Sequence, residues 1–361
     1  MVYYANTLAL VLASISYIQS AAAHPGEVHD PIHVKREIET RNALATQHKR
    51  SLGLCSNSMK ARGLNEGSIA RRAAKAEKLR AARGLPNGPF KTKRDAASLV
   101  AFGAISHNET GVVTDFSVES LFTANTSCIL TPETTIGPYW IEGELIRSNL
   151  TEGKEGVPIH LELQFINTDT CEPVSDLMID TWGANATGVY SGVVFAGNEQ
   201  VSANLGSLTE NYNRGVQPTD SDGVAAFDTN FPGHYDGRAT HQHTIVTHNY
   251  TLLANGTYSG GVVNHIGQIF FEEALRSAVE AVTPYSTNTQ AITSNEDDTW
   301  APSQADNDYD PYPEYVYLSD DIRDGLLMWL QIGINVTADV TSTESAEGIL
   351  TVNGTVPLGT L

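Results

Sequence analysis

Basic side chains are scarce where most of the chain lies. Only six of the 22 Lys and Arg residues follow residue 94 (Arg147, Lys154, Arg214, Arg238, Arg276 and Arg323), together with 36 of the 42 Asp and Glu residues. The other 16 basic and six acidic residues lie between His24 and Arg94, so the two parts carry net charges of 16 − 6 = +10 and 6 − 36 = −30. The large acidic part repels polyanions, and no nucleic-acid partner is expected. Cysteine is also sparse: Cys55, Cys128 and Cys171 are the only three. That argues against the thiolate-rich sites favoured by structural zinc and blue copper. No run beyond the first 23 residues approaches 18 uninterrupted apolar positions, so no membrane span is expected. There is no internal repeat and no phosphate-cradling glycine pattern. What remains is ordinary globular composition, 41% hydrophobic and 18% charged, which excludes disorder of the whole chain.

The opening MVYYANTLALVLASISYIQSAAAHP has an apolar to weakly polar run over 8–18 followed by Ala21-Ala22-Ala23. It lacks the usual basic start, yet it fits a secretory signal peptide over 1–23, and a secreted, extracellular protein is expected. Eight N-x-S/T sequons, at Asn108, Asn125, Asn149, Asn185, Asn249, Asn255, Asn335 and Asn353, exceed the roughly three expected by chance and predict a glycoprotein.

The basic stretch 24–94 carries the dibasic pairs Lys35-Arg36, Lys49-Arg50, Arg71-Arg72 and Lys93-Arg94. It reads as a pro-region removed at or near Arg94, with a solvated helix over 68–83 and a basic arm for nucleic acid as alternatives. Its loss would take away Cys55 and leave Cys128 and Cys171 as a disulfide pair.

Residues 95–361 read as the catalytic domain, and after residue 128 the periodicity is mostly two. In VPIHLELQFI, Val157, Ile159, Leu161, Leu163 and Phe165 alternate with His160, Glu162 and Gln164, the pattern of a half-buried strand. Further strands are predicted over 177–182, 189–195, 224–228, 240–246 and 262–270, separated by turn residues. The fold class is therefore mainly β, a sandwich or barrel with short helices over 271–282 and 319–332 and long loops. The stretch 286–313 reads as a solvated acidic loop. Its DNDYD resembles the start of a calcium loop, but Pro311 and Tyr317 stand where that loop needs Gly and Glu.

The densest chemistry is in GHYDGRATHQHTIV, residues 233–246. His241 and His243, at i and i+2 of a strand, face the same way and can share one metal ion. Tyr235 precedes them by six residues, and Tyr190 in GVYSG follows a turn. Two phenols and two imidazoles form a hard, anionic donor set that suits ferric iron, since phenolate oxygen is a strong charge donor. Two alternatives stand beside this. One is a hydrolytic zinc site of His241, His243 and His248; the other is a secreted β-sandwich binding module for iron or polyphenols without catalysis.

CILTPETTIGPYW, TCEPVSDLMIDTWGANATGVYSG, RGVQPTDSDGVAAFDTNFPGHYDGRATHQH and HIGQIFFEEAL, taken together over about 128–280, resemble the intradiol ring-cleavage dioxygenases, especially the secreted fungal members. The resemblance implies a β-sandwich core with non-haem Fe³⁺ at one end, held by Tyr190, Tyr235, His241 and His243. It further implies that Tyr235 is displaced by substrate, that Arg238 stabilises charge on the substrate ring, and that Gln268 lines the pocket. The implied reaction uses O₂ as co-substrate and cleaves a catechol-type ring between its two hydroxylated carbons, giving a cis,cis-muconate type diacid. The substrate is expected to be a small aromatic diphenol, of lignin or tannin origin if the protein is extracellular; oligomeric state is left open. Only two residues separate Tyr235 from Arg238, fewer than in the intracellular catechol and protocatechuate enzymes, so a tighter loop is expected.

Overall fold

Alternation of side chains builds two four-stranded sheets whose apolar faces meet. The computed structural model describes residues 35, 36, 39, 52–61, 63–86, 136–194, 208–304, 312–341 and 346–358. The leader, Lys93-Arg94, Cys128, Asn108 and Asn125 lie outside those residues. In chain order the strands are β1 (Ile141–Glu142), β2 (Pro158–Asn167), β3 (Met178–Trp182), β4 (Arg214–Pro218), β5 (Val224–Asn230) and β6 (His241–His248). They continue as β7 (Thr251–Leu252), β8 (Tyr258–Ser259), β9 (Val262–Phe270), β10 (Glu314–Tyr317), β11 (Leu326–Ile334), β12 (Gly348–Thr351) and β13 (Gly354–Pro357). The helices are α1 (Ser56–Ala61), α2 (Leu64–Ala82) and α3 (Glu273–Glu280).

One large sheet has the order β10-β11-β2-β5 and the other β4-β3-β6-β9; β1, β12 and β13 form a small third sheet. Ile159, Leu161, Leu163 and Phe165 of β2 and Phe227 of β5 pack with Ile179 of β3, Val246 of β6 and Ile269 of β9 in one buried cluster. The period-two reading of β2 thus found its inward face, and the expected β-sandwich is the observed architecture. No helix among the described residues is long and apolar enough to cross a membrane.

The helix expected over 319–332 is instead a short 3-10 turn (Ile322–Asp324) and strand β11, which runs parallel to β2 in register from Leu326↔Ile159 to Ile334↔Asn167. Gly325, at φ 100°, ends the turn, and every residue of β11 is buried. A central strand covered on both faces loses its alternation and reads like a buried helix. The strand expected over 189–195 is also absent from its described part, 189–194, which is irregular.

The helix expected over 68–83 is present as α2, and it is packed rather than solvated. Helix α2 lies on the outer face of the first sheet, where Ala76 packs with Val316, Leu318, Leu327 and Trp329. Arg72 and Glu162, each at most 2% exposed, pair at 2.8 Å, and Ser68 Oγ donates to Gln164 Oε1 at 3.0 Å. The polar residues of β2 that the sequence assigned to solvent are thereby covered. The disulfide follows the same logic: Cys171 is bonded to Cys55, 116 positions away with Cα atoms 5.2 Å apart, and not to Cys128. Cys55 is buried with Leu52, Met59 and Ile166, against the end of β2. Residues 52–86 therefore belong to the folded body.

Four sequons share a local geometry. At Asn149, Asn185, Asn255 and Asn335, the side-chain Oδ1 accepts hydrogen bonds from both the backbone N–H and the hydroxyl of the threonine two residues on. Each of these N-x-T stretches is thus a side-chain-closed turn.

Candidate metal centre

Strand β6 starts at His241, between β3 and β9, so that His243 lies opposite Trp182 on one side and Gln268 on the other. The i, i+2 spacing puts both imidazoles on one face. Their Nε2 atoms stand 2.9 Å apart, with the Tyr235 hydroxyl 3.2 Å from His241 Nε2. His241 Nδ1 lies 2.7 Å from the Ala239 carbonyl, which can only accept, so Nδ1 carries the proton and Nε2 presents its lone pair. The His243 ring stacks on Trp182 with centroids 4.7 Å apart.

Tyr235 is returned to the strand end by the two-residue turn Asp236-Gly237. An isolated antiparallel bridge joins Tyr235 to Arg238, and Gly237 has φ 80°. The tight loop expected from the spacing is therefore present.

Tyr190 comes from irregular backbone that needs several supports. Asn185 Oδ1 accepts from the N–H groups of Thr187 and Val189, while its Nδ2 donates to the Tyr212 hydroxyl at 3.3 Å. Gly188 (φ 79°) passes so close to the segment just before Tyr235 that a Cβ there would lie 2.1 Å from the His234 carbonyl. Arg214, fully buried, donates from Nε to the Ser191 carbonyl at 2.8 Å and from Nη1 to the Tyr139 carbonyl at 2.6 Å. The Tyr139 ring then stacks on Tyr190, centroids 4.2 Å apart, and both Tyr139 and Tyr190 meet Tyr235 edge-on.

All four predicted ligands converge, and each is at most 4% exposed. Burial pushes the His241 pKa down to about 3, helped by the Arg238 guanidinium, and burial with the neighbouring His241 holds His243 well below its ordinary value. Both rings are therefore neutral nitrogen donors at ordinary pH. Burial raises both phenols, Tyr190 strongly; for Tyr235 the Arg238 charge opposes that rise. Two neutral Nε2 atoms 2.9 Å apart can share only one proton between them, whereas an ion satisfies both lone pairs. With metal–nitrogen bonds of about 2.1 Å, that separation corresponds to an angle near 90° at the ion. The donor set fits a hard trivalent metal, whose charge displaces the phenol protons.

Arg238 and Gln268 are also brought together: Arg238 Nη2 donates to Gln268 Oε1 at 2.6 Å. The zinc alternative fails. His248 stands at the opposite end of β6, about 16 Å along the strand from His243, and its Nδ1 lies 2.6 Å from Asn264 Oδ1. Among the described residues, no three His, Cys, Asp or Glu side chains gather around a metal position.

Sequence reasoning passed over Tyr139, Trp182, Arg214 and Asp298. The first three lie in motifs that carry the resemblance, which gives them no role. Asp298 was placed in a solvated loop, yet Asn295, Asp298 and Trp300 are all at most 7% exposed. Asp298 Oδ2 accepts from Arg238 Nε at 2.8 Å and from the Ala239 N–H at 2.7 Å.

The chain matches no family model and no curated protein. Among solved structures it is similar to an intradiol ring-cleavage dioxygenase from Tetranychus urticae, with 28% identity, 58% of this chain and 96% of that one covered, and a TM-score of 0.48. It is similar also to catechol 1,2-dioxygenase from Pseudomonas arvilla C-1, at 17% identity over 60% of this chain and 65% of that one, with a TM-score of 0.38. A third is the dioxygenase domain of a dioxygenase carbohydrate-binding protein fusion from the cellulolytic bacterium Streptomyces sp. SirexAA-E, at 19% identity, 58% and 99% coverage and a TM-score of 0.35. With TM-scores below 0.5 these are similarities and nothing more.

Proposed function

We propose that this chain is a non-haem Fe³⁺ intradiol dioxygenase, which inserts both atoms of O₂ into a catechol-type ring and opens it between the two hydroxylated carbons to a cis,cis-muconate type diacid. The observation that carries this reading is the convergence of two phenols and two neutral imidazoles in one buried cluster, with the Tyr190 ring edge-on to those of Tyr235 and His243, beside a buried guanidinium and amide. Tyr190, Tyr235, His241 and His243 would hold the ion. When bound, a ferric ion would supply the Lewis acidity that activates the catechol ring towards O₂.

The protein's own groups do the rest. Tyr235, at the start of a two-residue turn, is the phenol placed to meet substrate, and its oxygen, once deprotonated, would take up one of the catechol protons. Tyr190, wedged under Tyr139 and tied through Ser191 to Arg214, stays in place. Arg238 stabilises negative charge developing on the ring carbon in a site from which water is excluded, and Gln268 fixes its orientation. The substrate supplies all the electrons, so no nicotinamide is consumed. Secretion, glycosylation and a lignin- or tannin-derived diphenol as substrate belong to the same reading and rest on the leader, the sequons and the resemblance.

The test is oxygen uptake by iron-loaded protein presented with catechol, hydroxyquinol or protocatechuate. One O₂ is expected per ring opened, without NADH, together with a ring-opened diacid. An iron-loaded sample that is colourless and takes up no oxygen with any of the three would refute the proposal.

A further inference from the structure

We infer that Asp298 is the positioning residue of this centre, which aims the Arg238 guanidinium at the reacting ring. The inference rests on the function proposed above and adds to it a group outside the ligand motifs. Arg238 leaves a two-residue turn on a long, flexible stem, and its one local partner is the Tyr235 phenol, which the proposed reaction itself engages. Asp298 does so from 60 positions away. Its Oδ2 accepts from Arg238 Nε at 2.8 Å, while Gln268 Oε1 takes Nη2 at 2.6 Å, so two of the guanidinium's edges are held and its plane is set.

The carboxylate is itself pinned. Its Oδ1 accepts from the N–H groups of Trp300 and Ala301, both at 2.8 Å, and the buried Trp300 packs with Ala239 and Phe270. Loop 294–301 is anchored in turn by Asn295, whose Nδ2 donates to the Phe271 carbonyl at 2.8 Å and whose Oδ1 accepts from Arg276. Asp298 also reaches the ligand side: its Oδ2 takes the Ala239 N–H, and the Ala239 carbonyl takes the His241 ring proton. Two roles are therefore distinguishable, one through Arg238 and one through His241; the inference is the first, because there Asp298 meets the charged group itself in a buried ion pair at 2.8 Å, and reaches His241 only through the Ala239 backbone.

Asp298→Asn keeps the size and the acceptor Oδ1 but turns an amide N–H₂ toward Arg238 Nε and the Ala239 N–H, where only an acceptor fits. In iron-loaded protein it should keep wild-type iron content and charge-transfer colour, and lose about 10- to 100-fold in kcat with catechol while KM changes little. Arg238→Gln should lose about 10²–10³-fold. The double variant should lose no more than about threefold beyond Arg238→Gln, because the carboxylate acts through that arginine. Asp298→Glu, which restores the charge one methylene too far, should recover part of the loss and serves if the Asn variant does not fold. Asp297→Asn, on the exposed side of the same loop, should behave as wild type.

Wild-type turnover by Asp298→Asn (or by Asp298→Glu, should the Asn variant not fold), losses that multiply in the double variant, or loss of iron would each overturn the assignment, the last by placing the effect on His241. A wild-type protein without oxygen uptake would instead sink the proposed function.

Discussion

Arg72 and Glu162 meet at 2.8 Å on the outer face of a β-sheet, each at most 2% exposed, and so bind a basic helix to an acidic sandwich. Burial alone would raise the Glu162 pKa, but Arg72 and Arg71 beside it overcome that and hold it below its ordinary 4.5. The folded state therefore refuses a proton that the unfolded chain accepts, so the stability this group contributes is present above pH 4.5 and lost as pH falls through and below it. Melting temperatures should drop on acidification over that range. Glu162→Gln should remove this part of the pH dependence and cost about 3–5 kcal/mol at neutral pH by stranding Arg72.

The covalent tie between Cys55 and Cys171 closes a loop of 116 positions. Chain-entropy reasoning puts its contribution near 5 kcal/mol. Peptide mapping without reductant should recover a Cys55–Cys171 pair, and reduction should lower the midpoint of chemical unfolding. A cut after Arg94 should leave two pieces that separate only on reduction; a freely departing N-terminal piece would contradict the pairing.

Iron uptake has its own signature. Because both buried phenols are raised above the ordinary tyrosine value, they are protonated without metal, and loading with Fe³⁺ should release roughly two protons per ion from them. The loaded protein should be burgundy from tyrosinate-to-iron charge transfer. Tyr190→Phe and His241→Ala should each lose colour or iron, as read by absorbance and metal analysis.

Gly188 tests whether the irregular segment before Tyr190 is built for its ligand. Gly188→Ala places a methyl group 2.1 Å from the His234 carbonyl at φ 79°. The variant should lose at least about 1–3 kcal/mol of stability, and its iron affinity should fall together with the melting temperature.

Much of the site was readable from spacing. His241 and His243 share a face because strands repeat every two residues, and the two residues between Tyr235 and Arg238 leave room only for a tight turn. The inward residues of β2 were equally legible. Strand β11 was not, because LLMWLQIGI is buried on both faces and carries no alternation.

What the sequence determined by itself was local: which residues alternate, where the chain turns, and which donor types stand close together. Backbone geometry imposes these periods wherever the segment ends up. The partners of Glu162, Cys171 and Arg238, namely Arg72, Cys55 and Asp298, come from 90, 116 and 60 positions away. Only the folded chain decides such pairings, since they depend on which surfaces remain to be covered once the sheets have packed, and no periodic signal records that.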